Sequence, residues 1–271
     1  MPAESASNVA LLAIARKIAL AAGSLAKERR AAGVEVAASK SSAEDVVTFA
    51  DRETEALVRS LIAEARPNDG FLGEESGAEK GSSGLTWVVD PIDGTVNFLY
   101  GIPHYAVSIA VVEGEPDPAT WRALAGVVVN PASGELFTAA AGGGAFLDEK
   151  TIRTAPAVDL SQALVGTGFA YLADVRTEQA AIVAGLIHRV RDIRRMGTAS
   201  LDLCAVACGR LNAYYERRLN PWDHAAGALI AIEAGARVSG LRGAPASREF
   251  ILAAEPTMAA WLEDVLLELG A

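Results

Sequence analysis

Residues 87–98 read WVVDPIDGTVNF. An apolar run ends in Asp90, Pro91 and Ile92 follow, Asp93 comes next, and Gly94-Thr95 lead into a second apolar pair. WVVD suits a short buried strand that ends in acid, and Pro91 makes the following turn too tight for a helix. The two carboxylates are therefore brought toward a common place. Gly94 and Thr95 offer backbone N–H groups at the start of a short helix, where an anion is favoured.

Working outward, the chain before this stretch is helical. Leu11, Ile14, Ile18 and Leu25 recur at helical spacing with Arg16, Lys17 and Lys27 off the stripe, which predicts an amphipathic helix from Ser5 to about Ala32. A second helix is predicted over 49–66, ended by Pro67, and FLGEES forms a short strand ending in acid. After the stretch, AVSIAVVEG, ALAGVVVNP and GELFTAAAGGGAFLD are strands joined by Gly, Pro and Asn turns, which predicts an antiparallel run. The order changes near residue 147. ALVGTGF, DIRRM, NAYYERR, ARVSG and FILAA are strands, and 176–190, 198–208, 221–234 and 256–269 are helices. Layered helices and sheets of the α/β (α+β) class are expected, as one unit over 5–269 with halves of about 5–146 and 147–269.

Composition narrows the function. The chain has 271 residues, a hydrophobic content of 51% and a formal net charge of −10, which gives a well-filled core and argues against nucleic acid or anionic membrane as the main partner. The apolar run ALAGVVV at 123–129 falls short of the roughly 18 residues of a membrane span, and LLAIARKIAL is interrupted by Arg16 and Lys17. MPAESASN lacks the pattern of a secretory signal and only two cysteines occur, so a cytoplasmic setting is expected. If the ligand is an anion, divalent cations are the candidates for neutralising the acid.

Acid stands at the ends of four predicted elements: Asp51, Glu74 with Glu75, Asp90 with Asp93, and Asp223. Each alone has a bland explanation. Asp51 suits a helix first turn, Glu74 and Glu75 a solvated turn, Asp93 an N-cap, and Asp223 the third residue after N-cap Asn220 and Pro221. Together they match the demand of a hard cation such as Mg²⁺ for several carboxylate or carbonyl oxygens. An EF-hand is excluded, because counting from Asp90 places Pro91 second, Gly94 fifth and Gly101 twelfth. The D-x-D-G-T pattern of haloacid-dehalogenase phosphatases is excluded too, because Pro91 stands where the nucleophilic aspartate is needed.

With GEES at 73–76, DPIDGTVNF at 90–98 and WDHAAG at 222–227, the chain closely resembles the inositol monophosphatase family of metal-dependent, lithium-sensitive phosphatases. KSSAEDVVTFAD at 40–51, MGTASLDLC at 196–204 and AYYE at 213–216 support the match. The resemblance implies a five-layered αβαβα sandwich, a homodimer, and two or three Mg²⁺ ions. Glu74, Asp90 and the carbonyl of Ile92 would hold one ion, and Asp90, Asp93 and Asp223 a second. Thr95, oriented by Asp51, would position the attacking water, with Glu74 assisting, while Asp93, Gly94 and Thr95 meet the phosphate. Gly197, Thr198, Ala199, Glu216 and Asp223 would take the alcohol half of the substrate. Lys40 resembles the lysine of a mobile loop near the site, and Glu75 belongs to the turn behind the ligands.

The family further implies hydrolysis of myo-inositol 1-phosphate, with histidinol phosphate, fructose 1,6-bisphosphate and 3′-phosphoadenosine 5′-phosphate as alternative substrates on the same fold. A metal-binding regulatory scaffold is the rival of another class. Asn212 departs from the aspartate usual in that strand. Cys204 and Cys208 are expected to be core thiols, Trp222 to pack the base of the site, and Arg189, Arg191, Arg194 and Arg195 to form a solvated face. Of the histidines only His224, beside Asp223, is a candidate to approach the site.

Overall fold

The computed structural model describes residues 2–39 and 46–271, so Lys40 lies outside the described residues. Two helices, α1 (Pro2–Ala32) and α2 (Phe49–Ala65), follow one another around a small hairpin of β1 (Val36–Ser39) and β2 (Val46–Thr48). They lie on one face of a sheet built from β3 (Gly70–Gly73), β4 (Gly77–Glu79), β5 (Leu85–Asp93), β6 (Ala106–Glu113), β7 (Arg122–Val129), β8 (Leu136–Ala140), β9 (Gly144–Leu147) and β10 (Lys150–Thr151). The eight strands run in the order β10-β9-β8-β7-β6-β5-β3-β4, antiparallel except where β3 pairs with β5. A six-residue helix, α3 (Thr95–Tyr100), leaves the end of β5.

The second sheet contains β11 (Leu164–Thr167), β12 (Asp192–Arg194), β13 (Ala213–Glu216), β14 (Arg237–Ser239) and β15 (Ile251–Ala254), in the order β12-β11-β13-β15-β14. Helices α5 (Ala199–Ala207) and α6 (Pro221–Glu233) fill the space between the sheets, and α4 (Ala173–Leu186) and α7 (Pro256–Glu268) cover the far face. The result is a five-layered αβαβα sandwich.

Strand alternation builds its core. Trp87 and Val89 of β5 face Leu11, Ile18, Val58 and Ile62 of the outer helices, whereas Val88 between them faces Leu203, Leu229 and Ile230 of the central pair. The central helices approach the sheet closely: a Cβ on Gly126 of β7 would stand 3.0 Å from the carbonyl oxygen of Ala226 in α6. On the far side, Ile182 and Leu186 meet Leu262 and Leu266 over Val165 and Leu252.

Two expectations shift. The helix predicted over 176–190 occupies Ala173–Leu186, and the chain then turns so that Arg191 donates to the Ala163 carbonyl at 3.0 Å and β12 can pair with β11. By length and composition Ser7–Ala32 is long and apolar enough to cross a membrane, despite Arg16 and Lys17. Its apolarity is accounted for by packing, because Leu11, Ala15, Ile18, Ala22 and Ala26 are buried.

Candidate active site

The spacing of Asp90 and Asp93 is explained by a β-bulge. In a regular strand, residues three apart point to opposite faces. Here Asp90 pairs with Ser108 and Asp93 with Ala106, so three steps on β5 oppose two on β6. The extra residue resets the alternation, and Pro91 is tolerated because the ladder is already broken there. Both aspartates consequently line one cavity of about 290 Å³.

Other elements bring their ends to the same cavity. Glu74 follows β3 and donates its N–H to the Val89 carbonyl at 3.3 Å. Gly94 caps α3 with φ +89, and a Cβ there would stand 2.5 Å from the Thr198 hydroxyl. Gly197, Thr198 and Ala199 start α5, Glu216 ends β13, and Asp223 lies in the first turn of α6. All of these line the cavity, as do Ile92 and Thr95.

Asp51 sits behind this wall rather than on it. It belongs to a capping box at the start of α2, in which its Oδ2 accepts from the Thr48 N–H at 2.7 Å and the Thr48 hydroxyl at 2.5 Å. Its Oδ1 lies 3.2 Å from the Thr95 hydroxyl, which is also 3.1 Å from the Ile92 carbonyl. One hydroxyl proton is shared between these two acceptors, and the oxygen keeps its own lone pairs for a donor from the cavity.

Burial governs the electrostatics. It pushes the Asp51 carboxyl up to about 7, with Glu74 and Glu75 adding repulsion against the hydrogen bonds of Thr48. Asp93 is likewise raised to about 7 by burial, against donation from Ser200. Asp90 and Asp223 are raised well above the ordinary carboxylate range by burial, then by Glu74 and Asp93. Glu216 is held at about 7 by burial, while Tyr214 donates to its Oε2 at 2.5 Å.

Among the described residues no three His, Cys, Asp or Glu side chains are already closed around a point as a metal centre. The donor set nevertheless fits a hard divalent ion. Asp90, Asp93 and Asp223, whose proton affinity is raised by burial and by the neighbouring Glu74, share a wall with Glu74 and together are oxygen ligands of the kind such an ion takes.

These features coincide with those of known proteins. Residues 7–268 match the model of the inositol monophosphatase family. The inositol-1-monophosphatase SuhB of Mycobacterium tuberculosis is 50% identical over 208 residues, 73% of this chain and 70% of that one. The chain belongs to the inositol monophosphatase family. Phosphatase chemistry and dependence on metal are properties of that family. The Nus factor SuhB of Xylella fastidiosa is 44% identical over 206 residues, 75% of this chain and 72% of that one. The crystal structure of extragenic suppressor protein SuhB from Bartonella henselae superposes with a TM-score of 0.86 at 35% identity, covering 95% of this chain and 98% of that one.

Within this member of the inositol monophosphatase family, several residues near the site were not singled out by sequence. Ser200 gives its N–H and hydroxyl to Asp93. Asn97 ties α3 to the segment between β12 and α5 by donating to the Met196 carbonyl, and it also donates to the His104 carbonyl, both at 2.8 Å. Ser200 was visible in GTAS but has no charge to draw attention, and Asn97 acts across 99 residues of sequence, which no local pattern encodes.

Two other expectations, for His224 and for the basic cluster, are corrected, and the remaining side chains are placed as expected. His224 does not approach the cavity: it is buried against Trp121, with ring centroids 6.1 Å apart, and burial pushes its imidazole down to about 4. The basic cluster divides. Arg189 pairs with Glu268 and Arg194 with Asp192, each at 2.6 Å, whereas Arg195 lines the cavity. Glu75 gives its N–H to Glu55 at 2.8 Å and is absent from the cavity wall. Trp222 packs against the central core and also lines the cavity. Asn212 makes a local bond, its Oδ1 accepting from the Leu164 N–H at 2.8 Å. Cys204 and Cys208 are free thiols, the first fully buried.

Proposed function

We propose that this chain is a Mg²⁺-dependent phosphomonoesterase acting on a small phosphorylated polyol, with myo-inositol 1-phosphate as the first substrate to test. The observation that carries this is one cavity lined by Glu74, Asp90, Asp93 and Asp223, with Thr95 held against buried Asp51. The names of the mycobacterial relatives support the substrate.

Glu74, Asp90 and the Ile92 carbonyl would hold one Mg²⁺, Asp90, Asp93 and Asp223 a second, and a third would share these carboxylates. When bound, the ions supply a grip on phosphate oxygens, neutralisation of charge and a water of lowered pKa. The chain's own residues supply the geometry. Thr95 donates its hydroxyl proton toward Asp51 or Ile92 and accepts from the attacking water, which orients that water for in-line attack. The backbone N–H groups of Gly94 and Thr95 face phosphate oxygens as charge develops on them. Tyr214 occupies one oxygen of Glu216, so the other accepts from a hydroxyl of the leaving alcohol. Gly197, Thr198 and Ala199 flank that alcohol at the start of α5. Lithium inhibition, a homodimer and a cytoplasmic setting belong to the same proposal and rest on the family.

The test is phosphate release with Mg²⁺, with and without lithium, on myo-inositol 1-phosphate, histidinol phosphate, fructose 1,6-bisphosphate and 3′-phosphoadenosine 5′-phosphate. Preference for histidinol phosphate overturns the polyol and leaves the chemistry standing. A folded Asp93→Asn protein that works as fast as its parent at saturating Mg²⁺ overturns the chemistry. The second reading, a metal-binding regulatory scaffold, is favoured by the relative named as a Nus factor. Calorimetric Mg²⁺ binding without phosphate release from any substrate would select it.

A further inference from the structure

The stretch ALVGTGF contains two glycines, Gly166 and Gly168, that no turn requires. In β11, Gly166 pairs with Tyr214 of β13 and Thr167 with Tyr215, in parallel. One step further the chain brings Gly168 beside Glu216. Alternation turns Tyr214 toward the central helices and Val165 and Tyr215 toward the far layer, and Glu216 faces the same way as Tyr214. On that central face β11 carries no side chain at either position.

The space left bare is filled. A Cβ on Gly166 would stand 2.8 Å from Leu211 and 3.2 Å from the Tyr214 ring, and a Cβ on Gly168 would overlap Cδ and both oxygens of the Glu216 carboxyl. Neither glycine has a positive φ, so close approach rather than backbone freedom is what glycine supplies here. The Glu216 carboxyl therefore lies directly on the backbone of Gly168. Its other inner sides are closed as well. Fully buried Tyr214 donates its hydroxyl to Oε2 at 2.5 Å. Asp202 of α5 is buried with an Oδ1 that has no hydrogen-bond partner, and the charge of Glu216 adds to burial in raising its carboxyl well above the ordinary range. A swing of Glu216 toward α5 would bring two acids together. The open side is the cavity, which Glu216 lines with Gly168 and with Arg195, the cation that faces it. A glutamate at an open surface loses side-chain freedom when it binds, whereas folding has already fixed this one.

We infer that Gly168 is a specificity-determining position and Tyr214 a positioning residue of the reaction: together they hold the free oxygen of Glu216 at one point of the cavity wall, where it selects an alcohol that carries a hydroxyl beside its phosphate. This rests on the phosphatase reading above and assigns the choice of alcohol to the seat under Glu216 as well as to Glu216 itself. A seat that served only to pack β11 against β13 would affect every phosphomonoester alike.

myo-Inositol 1-phosphate and cyclohexyl phosphate share a ring and a phosphate and differ only in the free ring hydroxyls. Phosphate release by the full chain with saturating Mg²⁺ gives kcat/KM for each, and their ratio is the readout. The parent is expected to favour myo-inositol 1-phosphate by about 100-fold or more. Gly168→Ala pushes the carboxyl off its seat, and Tyr214→Phe deletes the tether while filling the same core space, so it carries the test if Gly168→Ala does not fold. Each should cut the ratio by about tenfold or more, chiefly through the KM of myo-inositol 1-phosphate. Glu216→Asp shortens the side chain by one methylene and relieves the clash, so the double variant Gly168→Ala, Glu216→Asp should lose less than the product of the two single effects. A variant that leaves the ratio unchanged, or lowers kcat/KM equally for both compounds, overturns the role of its residue, and strict multiplicativity in the double variant overturns the seat; the phosphatase reading stands in each case. A parent that treats the two compounds alike overturns this inference and leaves the phosphatase standing. Release from neither compound overturns the polyol reading and this inference with it.

Discussion

Ser200 gives two hydrogen bonds to the same oxygen of Asp93, from its N–H at 2.8 Å and its hydroxyl at 2.5 Å. The bulge in β5 aims Asp93 into the cavity, but a strand end alone leaves its carboxylate free to rotate. The first turn of α5 removes that freedom. One oxygen is fixed to the helix and the other remains for the cavity. A bridge between residues 107 apart therefore links the two sheets through their shared helical layer.

Ser200→Ala keeps the N–H donor and deletes the hydroxyl. Loss of a partner that orients a metal-binding carboxylate costs about 10- to 100-fold in metal affinity or activity. The expected result is a half-saturating Mg²⁺ concentration raised by about tenfold or more, with a smaller loss of kcat once metal saturates. A Mg²⁺ titration of phosphate release that matches the parent would show that Asp93 needs no such support.

Thr95 and Asp51 are expected to act on turnover rather than on binding. Thr95→Ala removes the oxygen that receives the water, and Asp51→Asn weakens the acceptor that orients it. Each should lower kcat by about 100-fold or more, while KM changes by about threefold at most. Circular dichroism must show both proteins folded, because Asp51 also caps α2. Retention of more than about a tenth of the parental kcat by Thr95→Ala would remove the hydroxyl from the reaction.

Carboxyls raised by burial give a pH dependence of definite sign. Asp51, Asp93 and Glu216 stand at about 7 in the fold, against about 4 in an unfolded chain. Between those values the folded protein holds protons that the unfolded chain has released, so the contribution of these three groups to metal-free stability falls as pH rises from about 4 to about 7. Mg²⁺ competes with those protons and relieves the repulsion left when they depart. The expected increase in Tm on adding Mg²⁺ to chelator-treated protein is therefore larger at pH 8 than at pH 6. An equal increase at both values would mean that Mg²⁺ binds elsewhere.

Much of this site could be read from sequence because its acids sit at element ends, where local signals are strongest. Asp223 after Asn220-Pro221, Asp51 after Thr48 and Gly94-Thr95 after β5 are helix starts that three or four residues specify. The convergence of Asp90 and Asp93 was also legible, but its cause was not. A bulge is a property of the pairing with β6, and DPID alone does not state which residue lacks a partner. Non-local contacts were the least accessible: Ser200 to Asp93, Asn97 to Met196, and Glu216 to Gly168. His224 misled for the opposite reason. It is adjacent to Asp223 in sequence, but a one-residue step on a helix turns its side chain into the core.

Gly94 is where backbone and site impose the same demand. Its φ of +89 disfavours any side chain, and a Cβ would come within 2.5 Å of the Thr198 hydroxyl, itself donated to the His104 carbonyl at 2.9 Å. Gly94→Ala is expected to cost about 1–2 kcal/mol from the left-handed conformation alone, with a further penalty as Thr198 is displaced. Tm should fall by several degrees, at about 2–4 °C for each kcal/mol in a protein of roughly this size. Activity should fall more steeply than stability, because the α3 amides that would meet the phosphate move with residue 94. The clash and the strain are separable. Thr198→Ala removes the obstructing hydroxyl, so the double variant Gly94→Ala, Thr198→Ala should lose less stability than the sum of the two single changes. Strict additivity in that cycle would place the whole cost in the backbone and show that the contact between α3 and α5 can yield without penalty.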